Sequence, residues 1–426
     1  MKKIIIYLLI SILALIIVSC RSKKETPKLE PQYVEIKDVL TLSKPNSQKM
    51  FTENITNSSL ELFKNLSSGY KGENMSFSPV SLNLALGMVY TGTKNNTTEQ
   101  IHKALGYNAD INIFNKEYSD YNKYLNNFSE DTLLDFNLAN KIFLEETFKI
   151  KEEYEKNITT YFSGAFELAD FKKNAGNEEK KINLWVSKIT KDKIKDIIPE
   201  NTLNSSTAMV LVNAIYIKGA WRFQFSEQAT KEKEFYSTPD KSSITKFMVK
   251  RQKSGIRYAK YKNTQVLELP YKSNNISFMI LLPDESTEEN LINYIPSGTE
   301  YSEICKNLKN RDVHMEIPKF KIESSFDLVK NLMNLGITDI FTNPDLTGIS
   351  DDKSLKISNI LQKVFFEIDE NGSEAAAATA IIARTTSVMP AQTEDYINFI
   401  ADKPFIFILK ENKNNTPLFI GQYVNP

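Results

Sequence analysis

Positions Met209 to Ile217 are apolar except for Asn213. A run that short, without a helical period, reads as a strand buried on both faces in the middle of a sheet. Ile276 to Leu282 repeats the pattern and is ended by Pro283. Phe405 to Lys410 and Leu418 to Val424 flank a polar turn and predict a terminal hairpin. Helical patterns lie earlier in the chain. Ser78 followed by Pro79 supplies a cap and a first-turn proline, and Leu82, Leu86 and Val89 follow on one face. Thr97 with Gln100 three residues on predicts a capping box and a short helix ending near Gly106. Ile182, Trp185, Val186 and Ile189 share one face of another helix. Helices dominate the first half and strands the second, with no regular β–α–β alternation. The expected class is α+β with largely antiparallel sheets.

The first residues follow a different pattern. Lys2 and Lys3 precede an uncharged, largely apolar run from Ile4 to Val18, then Ser19 and Cys20. A basic start, an apolar stretch and a small residue describe a secretory signal, although the run is also marginally long enough to span a bilayer. Ile17-Val18-Ser19-Cys20 resembles the bacterial lipobox, which makes Cys20 the lipidated N-terminus. The competing reading is an ordinary signal with a chance cysteine. Each buried CH₂ of an acyl chain contributes about 0.8 kcal/mol, so several chains on one cysteine hold a protein firmly. The stretch Arg21 to Lys49 is rich in Lys and Glu, holds three prolines and has few large apolar residues; it reads as a tether. The expected division is a signal at 1–19, lipidated cysteine and tether at 20–45, and a folded body at 46–426. The protein is then exported and anchored in the cell envelope, at the outer membrane or cell surface.

With 426 residues, 41% hydrophobic, the chain can bury a large core. Its length suits two or three domains, yet no linker-like break follows residue 50. Lys+Arg and Asp+Glu both number 53, so no net charge draws it to nucleic acid. With Cys20 assigned to lipid, Cys305 has no partner and the fold does without disulfides. The two histidines, His102 and His314, sit in a short helical and a strand-like pattern and read as a surface and a structural residue. There is no H-E-x-x-H, no G-x-S-x-G and no glycine-rich phosphate loop. S-x-x-K occurs at Ser68, Ser243 and Ser350 without its partner motifs. An enzyme, a metal site and a cofactor are all unsupported.

One stretch stands apart. Lys363 to Ile368 is β-like, and residues 369–380 then read Asp-Glu-Asn-Gly-Ser-Glu-Ala-Ala-Ala-Ala-Thr-Ala. Four consecutive alanines favour helix, with Ser373 as cap and Glu374 in the first turn. Read at strand period, Ser373, Ala375, Ala377 and Thr379 form a small, uncharged face. Glu374, Ala376 and Ala378 fall on the other, with Arg384 further along. Such a segment could enter the middle of a sheet.

That stretch resembles the hinge of the reactive-centre loop of a serpin, and the resemblance runs from about Asn46 to Pro426. Asn74 to Ser81, Ile182 to Val186, Leu211 to Trp221, Phe399 to Phe407, Leu418 to Gly421 and Val424 to Pro426 all match the family's motifs in order. The resemblance implies helices packed on three largely antiparallel sheets, with an exposed loop at about 370–398. It implies a suicide inhibitor of serine proteases, with cysteine proteases as a second class of target, acting as a monomer. The hinge maps onto Glu370, Gly372, Ser373, Glu374, Ala375, Ala376, Ala377, Ala378 and Thr379. The family's shutter maps onto Ser78, Ser81, Asn213 and Gln362, and Trp221 marks where insertion starts. Glutamine at 362 replaces the family's common histidine, which implies weaker pH dependence of sheet opening. Counting 16 residues from Glu370 places the bait bond between Thr386 and Ser387. Arg384 is a rival that would shorten the inserted arm by about 7 Å, and Met389 one that would lengthen it by about 10 Å. A small β-branched Thr386 suits elastase-like pockets. The stretch from Ser387 to Phe399 is longer than the family's, which leaves the register open. Two other readings compete: a non-inhibitory serpin serving as a surface binding lipoprotein, and a transporter's substrate-binding lipoprotein, whose repeated strand–helix units are not found.

Overall fold

The computed structural model describes residues 45–163, 165–373 and 396–426. In chain order the first half supplies α1 (Pro45–Ser67), β1 (Met75–Phe77), α2 (Pro79–Tyr90), α3 (Asn95–Leu105), α4 (Ile111–Asn126), β2 (Leu134–Glu145), α5 (Glu152–Phe162), β3 (Phe166–Ala169) and α6 (Phe171–Ile189). Strands then take over: β4 (Met209–Ala220), β5 (Lys231–Thr238), β6 (Lys241–Tyr261), β7 (Thr264–Pro270) and β8 (Ile276–Pro283). Helix α7 (Gly298–Asn307) precedes β9 (Lys309–Pro318) and β10 (Phe320–Asp327), and α8 (Val329–Asn334) and α9 (Asp339–Thr342) follow. The chain closes with β11 (Ile357–Ile368), β12 (Gly372–Ser373), β13 (Ile397–Ile400), β14 (Phe405–Glu411) and β15 (Pro417–Tyr423). Because α1 begins at Pro45, the last residues of the tether-like stretch are helical.

The strands form two hydrogen-bonded networks. One runs β1-β15-β14-β8-β7-β6-β9-β13 with β5 beside β6; the other runs β10-β11-β4-β2-β3 with β12 on β4. Three sheets were expected. The difference lies in β6, whose 21 residues run unbroken through what would be two of them. A register shift between Gln252 and Ile256 marks the bend. Before it β6 pairs with β5 and after it with β7. Most ladders are antiparallel, with β11–β4, β2–β3 and β13–β9 the parallel ones.

Strand β4 explains its own apolar run. Leu211, Ile215 and Ile217 face the main core, while Val210, Val212 and Ala214 face a second, smaller core under α6. Ile182 and Val186 of α6 fill that second core, with Trp185 and Ile189 packed at its margin. Fully burying such side chains is worth about 1.5–3 kcal/mol each. Ser78 caps α2 as its type dictates, accepting from the Ser81 N–H, with Pro79 in the first turn. The expected capping box at Thr97 does not form. Helix α3 starts two residues earlier, and the Thr97 hydroxyl accepts from the Asp345 N–H instead. Gln100 is likewise drawn away, to Thr338 and Asp339. Gly106 ends α3 in the left-handed region, at φ 69. The terminal hairpin is β14 with β15.

Candidate functional site

Strands β11 and β4 run side by side from Ile357/Met209 to Val364/Ile215 and are not paired beyond that point. The upper end of β4 is met by β12, which pairs antiparallel with it: Gly372 opposite Ala220 and Ser373 opposite Gly219. The chain that leaves β11 thus turns back and lays its first two residues along β4. The turn is held by Asp369. Its carboxylate accepts from the N–H of Asn371 (2.8 Å) and of Gly372 (3.2 Å), and its own N–H donates to the Gly372 carbonyl. Gly372 is required here by close approach, since a Cβ would lie 1.9 Å from the Gly219 carbonyl oxygen.

Trp221 locks this turn from beneath. It is 1% exposed, stacks near Tyr271 with ring centroids 4.5 Å apart, and donates its indole N–H to the Asp369 carbonyl at 2.8 Å. Its backbone N–H donates to the Asn371 carbonyl. Glu370 is buried beside it. Its carboxylate accepts from the Thr230 hydroxyl at 2.6 Å and from Lys319 Nζ at 3.3 Å, and its carbonyl accepts from the Phe225 N–H. Burial opposes ionisation of Glu370. The Thr230 hydroxyl, the local backbone and Lys319 outweigh it and hold the carboxyl below its ordinary range.

Lower in the sheet, Asn140, Asn213 and Gln362 form one row across β2, β4 and β11. The start of α2 sits on this row. Gln362 accepts from the Ser78 N–H (2.9 Å) and donates to the Ser78 carbonyl (2.8 Å) and to Asn213 Oδ1 (2.5 Å). The Ser81 hydroxyl donates to Asn140 Oδ1 at 2.6 Å, and the Ser78 hydroxyl to the Leu418 carbonyl at 2.8 Å. Among the described residues, Asn213 Nδ2 is buried with no partner. The row ties the two strands together just below the level where they part. To separate them is to break the Gln362–Asn213 bond.

The structure therefore brings Ser78, Ser81, Asn213 and Gln362 into one cluster, and Trp221, Glu370, Gly372 and Ser373 into another. Glu374, Ala375, Ala376, Ala377, Ala378, Thr379, Arg384, Thr386, Ser387 and Met389 lie outside the described residues, as does Cys20. Sequence reasoning missed Thr230, Lys319 and Asn140, which come from distant segments with no local signal. His102 sits on α3, with Nδ1 at 2.5 Å from the Tyr107 carbonyl. His314 lies in β9 beside Glu316. Burial pushes the Cys305 thiol up to about 11, which keeps it protonated and unreactive.

A sheet with a slot at one end, a small-residue strand folded back into its mouth and a polar row beneath it decides the comparison. A family model described as Serpin (serine protease inhibitor) matches residues 53–426. The chain belongs to the serpin family. It is 34% identical over 407 residues to Serpin B3 of Homo sapiens, covering 91% of this chain and 100% of that one. It is 35% identical over 378 residues to the leukocyte elastase inhibitor of Sus scrofa, covering 87% of this chain and 98% of that one. The native state of the thermophilic serpin Tengpin superimposes with a TM-score of 0.78 at 30% identity, covering 88% of this chain and 94% of that one. The serpin fold expected from the motifs is thus the fold observed, and the family is one of protease inhibitors rather than of enzymes.

Proposed function

We propose that this serpin is a suicide inhibitor of serine endopeptidases with elastase-like preference, exported and held at the cell envelope by lipid on Cys20. The observation that carries the inhibitory reading is the antiparallel pairing of β12 with β4. Continued at the same register, each further hinge residue steps one place back along β4. Glu374 then falls opposite Lys218, Ala375 opposite Ile217, Ala377 opposite Ile215 and Thr379 opposite Asn213. Ile217 and Ile215 face the main core, so the partners placed beside them must be small. The acidic hinge residue meets a lysine, a favourable cross-strand pair. Thr379 brings a hydroxyl to Asn213, whose Nδ2 has no partner among the described residues.

The chemistry follows. The protease serine attacks the Thr386 carbonyl, the amine of Ser387 leaves with a proton, and an acyl-enzyme remains on Thr386. The freed hinge adds a strand between β4 and β11. Thr386 lies thirteen residues beyond Ser373, so full insertion carries the acylated protease about 40 Å along the sheet. Compression against the far end deforms the active site before water can release the acyl group. Arg384 would stop two residues sooner.

The test is to mix the full-length chain with elastase, trypsin and chymotrypsin and to analyse denaturing gels by mass spectrometry. A covalent complex with elastase and a released fragment beginning at Ser387 is expected. A complex with trypsin and a fragment beginning at Thr385 moves the bait to Arg384. Cleavage by all three with no complex overturns the inhibitory reading in favour of a surface binding role.

A further inference from the structure

The chain re-emerges from residues 374–395 at Tyr396 and enters β13, a four-residue strand whose ladder among the described residues is with β9 alone. Four parallel pairs at a sheet edge are a weak hold for the end of a loop that is to be pulled. Tyr396 adds a second hold. The Arg251 guanidinium lies 4.2 Å from its ring centroid. That guanidinium is itself fixed by a fork to Asp312, with Nε to Oδ1 at 3.1 Å and Nη2 to Oδ2 at 2.8 Å. A two-point fork keeps the plane of the cation over the ring, which a single contact would not. His314 meets the same ring edge-on, 6.3 Å from Tyr396 at 67°. Its Nε2 lies 3.1 Å from Glu316 Oε1, and Glu316 is bound in turn by Lys233 and faces Lys231 at 3.7 Å.

The register places these groups together. Arg251 is opposite His314 across β6–β9, and His314 is opposite Asn398 across β9–β13. Tyr396 is two residues before Asn398 and so shares its face, beside Asp312 and His314.

We infer that Arg251 and Tyr396 are positioning residues that clamp the C-terminal exit of the reactive loop, an inference that rests on the bait role proposed above. With β12 pinned on β4 and Tyr396 pinned under Arg251, the span available to residues 374–395 is fixed at both ends. Loss of the clamp shifts the load onto the four-pair ladder of β13 with β9. Peeling that strand together with Tyr396 frees about 16 Å of chain. The added slack presents the bait less firmly and lets more attacks end in simple hydrolysis.

The test compares Tyr396→Ala and Arg251→Met with Tyr396→Phe, which keeps the ring, in the full-length chain. Amide hydrogen exchange at Ile397–Ile400 is read without protease. The moles of serpin consumed per mole of protease trapped are read separately. Tyr396→Ala and Arg251→Met are expected to speed exchange in β13 about fivefold and to raise serpin consumption, with Tyr396→Phe close to the unmodified chain in both. Tyr396 is 40% exposed, so its truncation leaves the core intact. Unchanged exchange in Tyr396→Ala, or Tyr396→Phe as impaired as Tyr396→Ala, overturns the clamp. Faster β13 exchange in a chain that traps no protease supports the clamp and counts against the bait role alone.

Discussion

Glu370 helps to close the mouth of the slot. Its carboxylate joins the turn after β11 to Thr230 and to Lys319 ahead of β10, and it is 4% exposed. Reversing its charge in Glu370→Lys sets two ammonium groups together and removes the acceptor of the Thr230 hydroxyl. Leaving the Thr230 hydroxyl without its acceptor costs about 1–3 kcal/mol, and the repulsion from half-exposed Lys319 adds to it. The variant should unfold at lower urea and open β4 from β11 more readily, seen as polymer formation on mild heating. The effect has a pH signature. A carboxyl held below its ordinary 4.5 contributes stability that is fully present above that value and is lost as the pH falls through the folded-state value. The stability gap between the unmodified chain and Glu370→Gln should therefore be constant near neutrality and narrow below about pH 4.5. A gap that stays constant down to pH 3 would show that the charge contributes nothing. Gln362 behaves differently: its amide satisfies both backbone groups of Ser78 without titrating.

At the scale of elements, the slot above Val364 and Ile215 and the two residues of β12 define what the hinge must be. A large charged side chain on the inward face would be driven into Ile215 and Ile217. Ala375→Arg and Ala377→Arg should each turn the inhibitor into a substrate, with loop cleavage at an unchanged rate and the covalent complex falling at least tenfold on gels. Undiminished complex in both variants would rule out insertion at this register. Much of this level was legible in the chain. β4, β8 and the β14–β15 hairpin follow from apolar runs, and α2 from Ser78 and Pro79. Those signals are local, and burial follows them. What was not legible depends on residues far apart in sequence. Thr97 has the spacing of a cap, but a stronger partner, the Asp345 N–H, arrives from 248 residues away. Lys319 reaches Glu370 across 51 positions, and Arg251 covers Tyr396 across 145. Nor does an apolar pattern reveal that β6 runs through a bend, because a bulge preserves the alternation on either side of it.

For the whole molecule, the proposed function requires that the uncleaved chain, with β4 and β11 parted only above Ile215 and Val364, is not at its free-energy minimum. Insertion would add a strand of about thirteen residues, each gaining a ladder hydrogen bond worth about 1 kcal/mol net. Cutting the loop with a protease that is not trapped should raise the thermal unfolding temperature by roughly 15 °C, as read by calorimetry on intact and nicked protein. An unchanged midpoint would mean that the slot does not fill. The same geometry sets a supply rule. Once parted, β4 and β11 admit a single strand between them, and a molecule that has taken it up has no second place to offer. On the proposed function, protection at the cell envelope is then counted in copies rather than in rate. Protease arriving beyond the number of anchored molecules passes untouched until new chains are made.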